Sequence, residues 1–409
     1  MKFKRRKWSY ILRSYIVWFL VFLFGLFILA KISGFSARLI EDWLIIKSKP
    51  AEIVNITKPV ETDIIFNDEM GSEVFSERII SEIDQAKKSL EIAMYTFSSE
   101  KLKQAVYRAA ARGLSVTIIN DWHKHDSHEL FFADAPTSIV RLELGSDSGG
   151  KTVLMHHKFA LIDRGELGQK LIFGSYNWTE LQEKYDPSFI LISGNEALIA
   201  SFGRDFDRMS SGFAGIKKLD NPNYHPWDLS LKSGDNNYEV WFSPGRYGDN
   251  IAARLDSLIN NAQESLEIMI WDFTDKDLAI DLIRQARAGI KISLITDTWN
   301  FNNQNSVFQY LLEAKNRYNL DNFELIVDSG NGNLINNIKE EEGLDVKFDP
   351  FLHYHVLIAD HTQVLFGTNN WSRAGTYYND ESIMISNDKK ILERFQTAFE
   401  RQYHNNISR

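Results

Sequence analysis

The 409-residue chain contains no cysteine. Disulfides, thiolate metal sites and a cysteine nucleophile are therefore excluded, and the redox compartment cannot be inferred from composition. Proline is scarce at 8 residues, and 44% hydrophobic with 25% charged residues excludes a wholly disordered, collagen-like or polytopic membrane protein. Acidic residues are missing from the first 31 positions, which hold seven Lys or Arg. The formal net charge of −9 thus becomes −16 for everything after Lys31. Such an acidic body argues against long-range steering toward nucleic acid or an anionic membrane, unless a local basic cleft overrides it. The length allows two or three domains, each with a substantial core.

Lys2, Lys4, Arg5, Arg6, Lys7 and Arg13 precede an uninterrupted uncharged run over residues 15–30 that is rich in Phe, Leu, Val and Ile. As a helix those sixteen residues would span about 24 Å, slightly less than the ~30 Å hydrocarbon core of a bilayer. Flanking Trp8, Tyr10, Ile11 and Leu12 extend the span if Arg13 snorkels. A cleaved signal peptide shares the basic start but needs a small-residue cleavage site, and residues 33–37 offer a poor one. The expectation is one N-terminal transmembrane signal anchor within residues 1–44. Positive charge before the span keeps the N-terminus in the cytoplasm and places residues 45–409 outside it.

The rest of the chain is a duplication. Residues 89–97 (SLEIAMYTF) are echoed by residues 265–273 (SLEIMIWDF), an offset of 176. Arg112-Gly113 answers Ala288-Gly289, and residues 118–121 answer 294–297, at the same offset. Each copy reads as a helix, a strand, a second helix stopped by Gly113 or Gly289, and another strand. Alternating helices and strands imply an α/β fold with a mainly parallel or mixed sheet covered on both faces. The expected architecture is two tandem α-β-α sandwich halves related by a pseudo-twofold axis. The boundaries read as 45–220 for the first half, 221–236 for a linker and 237–409 for the second half.

The chemistry sits in a motif present in both halves. His156 and Lys158 lie in an apolar stretch read as a strand over residues 153–162, with Asp163 at its end. Period-two geometry puts His156 and Lys158 on one face and Asp163 on the other. In the second half His353, His355 and Asp360 repeat the spacing. Gly174-Ser175-Tyr176-Asn177-Trp178-Thr179 and Gly367-Thr368-Asn369-Asn370-Trp371-Ser372 follow as matching turns.

A single His-x-Lys-x-x-x-x-Asp match is a modest signal, but two at equivalent points of a duplication, each followed by a Gly-hydroxyl-x-Asn turn, are specific. This pattern resembles the phospholipase D superfamily over roughly residues 60–405. The resemblance implies that the two motifs meet at the interface of the halves. It further implies a metal-independent, cofactor-free phosphodiesterase in which one imidazole attacks phosphorus and the other protonates the leaving alcohol. Lys158, Asn177 and Asn370 would hold the nonbridging oxygens, with Ser175 and Thr368 supporting that cradle. Asp163 and Asp360 are expected to be structural.

Family members carry a hydrogen-bonding group shortly after the turn to orient a histidine. Eleven residues beyond Asn370 is Glu381, whereas eleven beyond Asn177 is Ser188. If orientation crosses the interface, Glu381 raises the basicity of His156, making His156 the nucleophile and His353 the general acid. Position 355 departs from the family, which has Lys there. His355 donates to phosphate only when protonated, so activity is expected to fall as pH rises through neutrality.

The implied substrate is phospholipid, cleaved by a catalytically self-sufficient monomer tethered to a membrane through residues 15–30. A nuclease, a cardiolipin synthase-like transphosphatidylase and an inactive envelope binding module are the alternatives. Other features have plainer readings. His123, His125, Asp126 and His128 form a polar cluster whose spacing fixes no metal geometry. Asn177-Trp178-Thr179 and Asn370-Trp371-Ser372 match the glycosylation acceptor pattern, but the duplication favours an active-site role. Trp122, Trp271 and Trp299 near strand ends read as core or channel lining, and His157 as packing. The second half also has 21 extra residues between Asp297 and His353, expected as an acidic loop within residues 330–350.

Overall fold

The computed structural model describes residues 53–57, 60–70, 73–148, 151–221, 224–246, 248–328 and 352–407. The apolar run at residues 15–30 and the acidic insertion at 330–350 lie outside the described residues. Among the described residues no helix is long and apolar enough to cross a membrane.

Each copy of the repeat folds as its pattern dictates. Val74–Gln85 buries Phe75, Ile79 and Ile83, one stripe of an amphipathic helix, and leads into the strand Ser89–Met94. Ser99 caps the next helix, Glu100–Ala111, by accepting from the Leu102 amide. Gly113 ends it at φ 89°, a left-handed conformation that side chains disfavour, and the strand Ser115–Asp121 follows. The second copy runs Ile251–Asn261, Ser265–Ile270, Lys276–Arg287 and Lys291–Asp297, with Gly289 at φ 99°.

These units build two mixed sheets. The first has seven strands in the order Thr62–Phe66, Phe189–Ser193, Lys170–Gly174, Lys158–Ile162, Ser89–Met94, Ser115–Asp121 and Ile139–Leu144. Its last three strands are parallel and the others antiparallel. The second sheet has nine strands, its core running Ser382–Ser386, Gln363–Gly367, His355–Ala359, Ser265–Ile270, Lys291–Asp297 and Phe323–Asp328. Every one of these six has its counterpart in the first sheet, so the α/β duplication is realised strand by strand.

Three apolar clusters hold the layers. One lies beneath the outer helices of each half, and a third joins the halves. In the joining cluster Phe173 and Phe189 meet Phe366 at ring-centroid distances of 6.4 and 5.7 Å. Helices Glu196–Ser210 and Lys389–Ile407 add Phe202, Phe206, Phe395 and Phe399 to it. At roughly 2 kcal/mol for each fully buried large side chain, this apolar seam outweighs any single polar contact in fixing one half against the other.

Two boundaries read from the sequence need correction. Residues 221–236 are not a bare linker, because Trp227–Ser233 is a strand that pairs antiparallel with Asn236–Phe242. Its alternation was masked by polar neighbours, yet Leu229 and Leu231 are buried. Ile53–Asn55 pairs in parallel with that strand and so belongs to the second sheet, not to the first half. The strand read over 153–162 is also shorter. Lys158–Ile162 is the strand, and His156 and His157 precede it in irregular backbone.

Candidate active site

The motif histidines are hung on the opposite half of the molecule. The His156 amide donates to the Asp380 carbonyl at 2.9 Å, and the His353 amide donates to the Pro187 carbonyl at 2.9 Å. Asp380 also donates its amide to the Leu154 carbonyl at 2.8 Å, which completes a parallel bridge between Met155 and Asp380. Asp121, buried at the end of its strand, accepts from the Met155 amide at 2.7 Å and fixes the same segment from its own half.

Around these backbones the side chains converge. Nδ1–H of His156 donates to Oε2 of Glu381 at 2.8 Å, so a carboxylate of the second half orients an imidazole of the first. Thr368 donates its hydroxyl to the same oxygen at 2.7 Å, and Asn379 donates to Oε1 at 3.3 Å. Lys158 Nζ lies 3.2 Å from His156 Nε2. His353 packs edge-on against His355 at 5.2 Å, and each of these two rings senses the charge of His156 and of Lys158. Nε2–H of His355 donates to Oδ1 of Asn370 at 2.8 Å. All five are buried, at 5% exposure or less for His156, Lys158, His353, His355 and Glu381.

Burial decides the charge state. It pushes Lys158 down to about 7, against the pull of Glu381 and Asp121. It pushes Glu381 up to about 8, opposed by Lys158, Thr368 and Asn379. His156 is held well below its ordinary value by burial first and by Lys158 second. His353 is pushed down by burial and then His355, and His355 by burial and then Lys158. The expected gain in His156 basicity from Glu381 is therefore outweighed in the free protein. A neutral imidazole keeps its Nε2 lone pair.

The remaining motif residues divide. Thr368 donates to Glu381, and Ser175 Oγ accepts from the Phe189 amide at 3.2 Å, which leaves the Ser175 hydroxyl hydrogen uncommitted by that bond. Asn177 is 9% exposed, and its Oδ1 has no partner among the described residues. Asp163 accepts from the amides of Lys87, Lys88 and Ser89, and Asp360 from those of Gln263, Glu264 and Ser265, each closing a helix-to-strand turn away from the histidines. Thr179 and Ser372, the third residues of the two acceptor tripeptides, cap the helices Glu180–Tyr185 and Arg373–Tyr377.

The residues outside the motifs separate further. His123 pairs with Asp121 at 3.1 Å, His125 with Glu143 at 2.6 Å, and His128 accepts from the Phe97 amide at 3.3 Å, so the polar cluster does not converge. A different set, His125, Glu129 and Glu143, brings ligand-type atoms within 4.8 Å of one another, although Arg141 already binds Glu129 at 2.7 Å. Trp271 packs on His353 at 5.4 Å and Tyr95 on His156 at 4.6 Å. Tyr95 was missed as a site residue. The repeat register, which equates it with Trp271, was the signal that could have found it. Trp122 is 47% exposed beside His123.

This arrangement of two histidine motifs across paired halves defines a phospholipase D-like site. The family described as "Cardiolipin synthase, PLD-like domain" matches residues 79–210 and 255–403, well over half of the chain. The chain belongs to this family, within the phospholipase D superfamily. It is similar to the mitochondrial cardiolipin hydrolase of Drosophila melanogaster, 32% identical over 155 residues that cover 34% of this chain and 59% of that protein. The human protein of that name is 26% identical over 34% of this chain and 52% of its own length. The matched region thus spans little more than half of these relatives. In fold, the phosphatidylserine synthase of Haemophilus influenzae superposes with a TM-score of 0.55 at 15% identity, covering 84% of this chain and 86% of that one.

Proposed function

We propose that this chain is a metal-independent phosphodiesterase of phospholipase D type, cleaving phospholipid to phosphatidic acid and a headgroup alcohol. The single observation that carries the reading is the 2.8 Å contact from His156 Nδ1 to Glu381, which leaves Nε2 of a buried neutral imidazole, 3.2 Å from Lys158 Nζ, as the nucleophile.

The chemistry balances on the residues present. His156 Nε2 attacks phosphorus as the bond to the headgroup oxygen breaks, and a protonated His353 delivers its proton to that oxygen. The product is a phosphatidyl-histidine and a free alcohol. His353, now neutral, takes a proton from water; the water oxygen bonds phosphorus and the phosphorus–nitrogen bond breaks. Lys158 and the Asn177 and Asn370 amides neutralise and orient the nonbridging oxygens. Phosphate binding supplies the anion that recharges His353 and His355, which burial otherwise keeps neutral.

The acidic body disfavours nucleic acid as the substrate class, since only a local basic groove would hold a polyanion. A full-length preparation in detergent, offered phosphatidylcholine, cardiolipin and single-stranded DNA side by side with His156→Ala as control, tests the reading. Release of headgroup alcohol and phosphatidic acid, lost in the variant, is the expected result. Shortened DNA with intact lipid would assign the nuclease alternative instead.

A further inference from the structure

Directly behind the His156–Glu381 pair lies a second set of charges that the reaction does not use. His157 is fully buried, with Nε2 2.9 Å from Asp205 and Nδ1 3.1 Å from the Ser382 hydroxyl. Lys218 is also fully buried and lies 2.9 Å from Asp205 and 2.8 Å from Asp380. Arg208 reaches Asp205 at 2.6 Å. The Gly215 amide donates to both Asp380 oxygens at 2.8 and 2.9 Å. His157 adjoins His156 in sequence, and Asp380 adjoins Glu381. Lys218 belongs to the short helix Gly215–Asp220, in the connector between the halves.

The other side of the pseudo-twofold axis lacks this set. Where the first side has Asp380 and Glu381, the corresponding turn has Pro187 and Ser188. Where it has His157, the second motif has Tyr354, whose hydroxyl donates to Asp68 at 3.0 Å and leaves Arg401 to complete that pair at 2.8 Å. A need for stability alone would be served alike on both sides. Among the described residues of the two motifs, the buried cation between two carboxylates lies on the side of the oriented histidine.

We infer that Lys218 is a positioning residue for the His156–Glu381 pair, pinning through Asp380 and Asp205 the two segments that carry them and neutralising the charge of Asp380 one residue from Glu381. Buried ion pairs contribute little net stability against an apolar replacement, but removing one partner leaves an uncompensated charge. That charge falls next to the nucleophile. The other groups facing His156 are Glu381, Lys158, His157, Lys124, Tyr95, His353 and His355, and the variants below leave them in place.

The inference rests on the phosphodiesterase reading, so the experiment carries a control for each. Full-length protein in detergent is assayed with bis(p-nitrophenyl) phosphate as a generic diester, alongside His156→Ala. In Lys218→Met the Asp380 carboxyl group, still held by the Gly215 amide but without its cation, favours imidazolium, so kcat is expected to fall about 10- to 100-fold with KM within about twofold. The acidic limb of the rate profile should move up by about one pH unit. In Asp380→Asn, which keeps one acceptor oxygen for Gly215 and Lys218, the limb should move down, and Lys218→Met with Asp380→Asn should recover most of the loss. A Lys218→Met enzyme with the wild-type kcat and limb, or an Asp380→Asn limb that stays or moves up, would overturn the inference. Should Lys218→Met not fold, the direction of the Asp380→Asn shift alone decides it. Activity that survives His156→Ala would overturn the phosphodiesterase reading and this inference with it.

Discussion

Glu381 of the second half accepts a hydrogen bond from Nδ1 of His156 in the first at 2.8 Å, whereas Nδ1 of His353 has no partner among the described residues. The duplicated backbone is symmetric at this point, since both histidine amides are held at 2.9 Å by the opposite half. Only the side chains differ. A symmetric scaffold thus presents one imidazole paired with a carboxyl group and one that is not, which suits a nucleophile facing a general acid.

Glu381→Gln keeps a hydrogen-bond acceptor for His156 but removes the carboxyl group that can take up negative charge as the imidazole bonds to phosphorus. The expected cost is about 10- to 100-fold in kcat, the usual loss for a disturbed supporting carboxylate. Steady-state kinetics against Ser188→Ala, which should change kcat by less than about twofold, checks that the effect belongs to one side.

Lys158 loses its proton as pH rises through about 7 in the free protein, because burial disfavours its charge. The profile of kcat/KM should therefore fall on the alkaline side of neutrality. Lys158→Arg, permanently charged, should flatten that limb even if the wider guanidinium lowers the maximum rate.

His355 is neutral in the free protein, since burial and then Lys158 hold it down. Gaining its charge requires the phosphate anion, so binding takes up a proton and KM should rise with pH across neutrality. His355→Lys supplies a permanent cation, and the measured KM should then lose most of that dependence. An unchanged slope in the variant would remove His355 from the phosphate site.

Asp360 shows what the motif acids do instead. Burial opposes its charge, but the amides of Ser265, Gln263 and Glu264 hold it below the ordinary carboxylate value. A depressed folded pKa means that its stabilising contribution is complete above the unfolded value near about 4 and lost as pH falls through the folded one. Asp163→Ala and Asp360→Ala should each cost about 1–3 kcal/mol by stranding three amides. Thermal unfolding should show the loss while kcat of the folded fraction stays near wild type.

Much of this was readable in the chain because the repeat carries it. The helix-strand-helix-strand order followed from apolar spacing and from Gly113 and Gly289, whereas Glu381, eleven residues past Asn370 where the first half has Ser188, followed from the family resemblance. The rest depended on contacts distant in sequence. Lys218 sits in a polar stretch at the end of the segment read as the first half, and nothing local marks a lysine whose partners, Asp205 and Asp380, lie on another helix and in the other half. His157 read as packing because strand alternation puts it on the face opposite His156, although its ring pairs with Asp205. Burial was equally illegible. It reversed the expected direction for His156, since a sequence shows the carboxylate that will pair but not the desolvation that competes with it.

The central claim is that one particular imidazole becomes covalently attached to phosphorus. Rapid alkaline denaturing quench of the full-length enzyme turning over a phosphorus-labelled diester, followed by peptide mapping, measures this directly. Label on the peptide containing His156, absent in His156→Ala, is the predicted result. Label on His353 with none on His156 would contradict it.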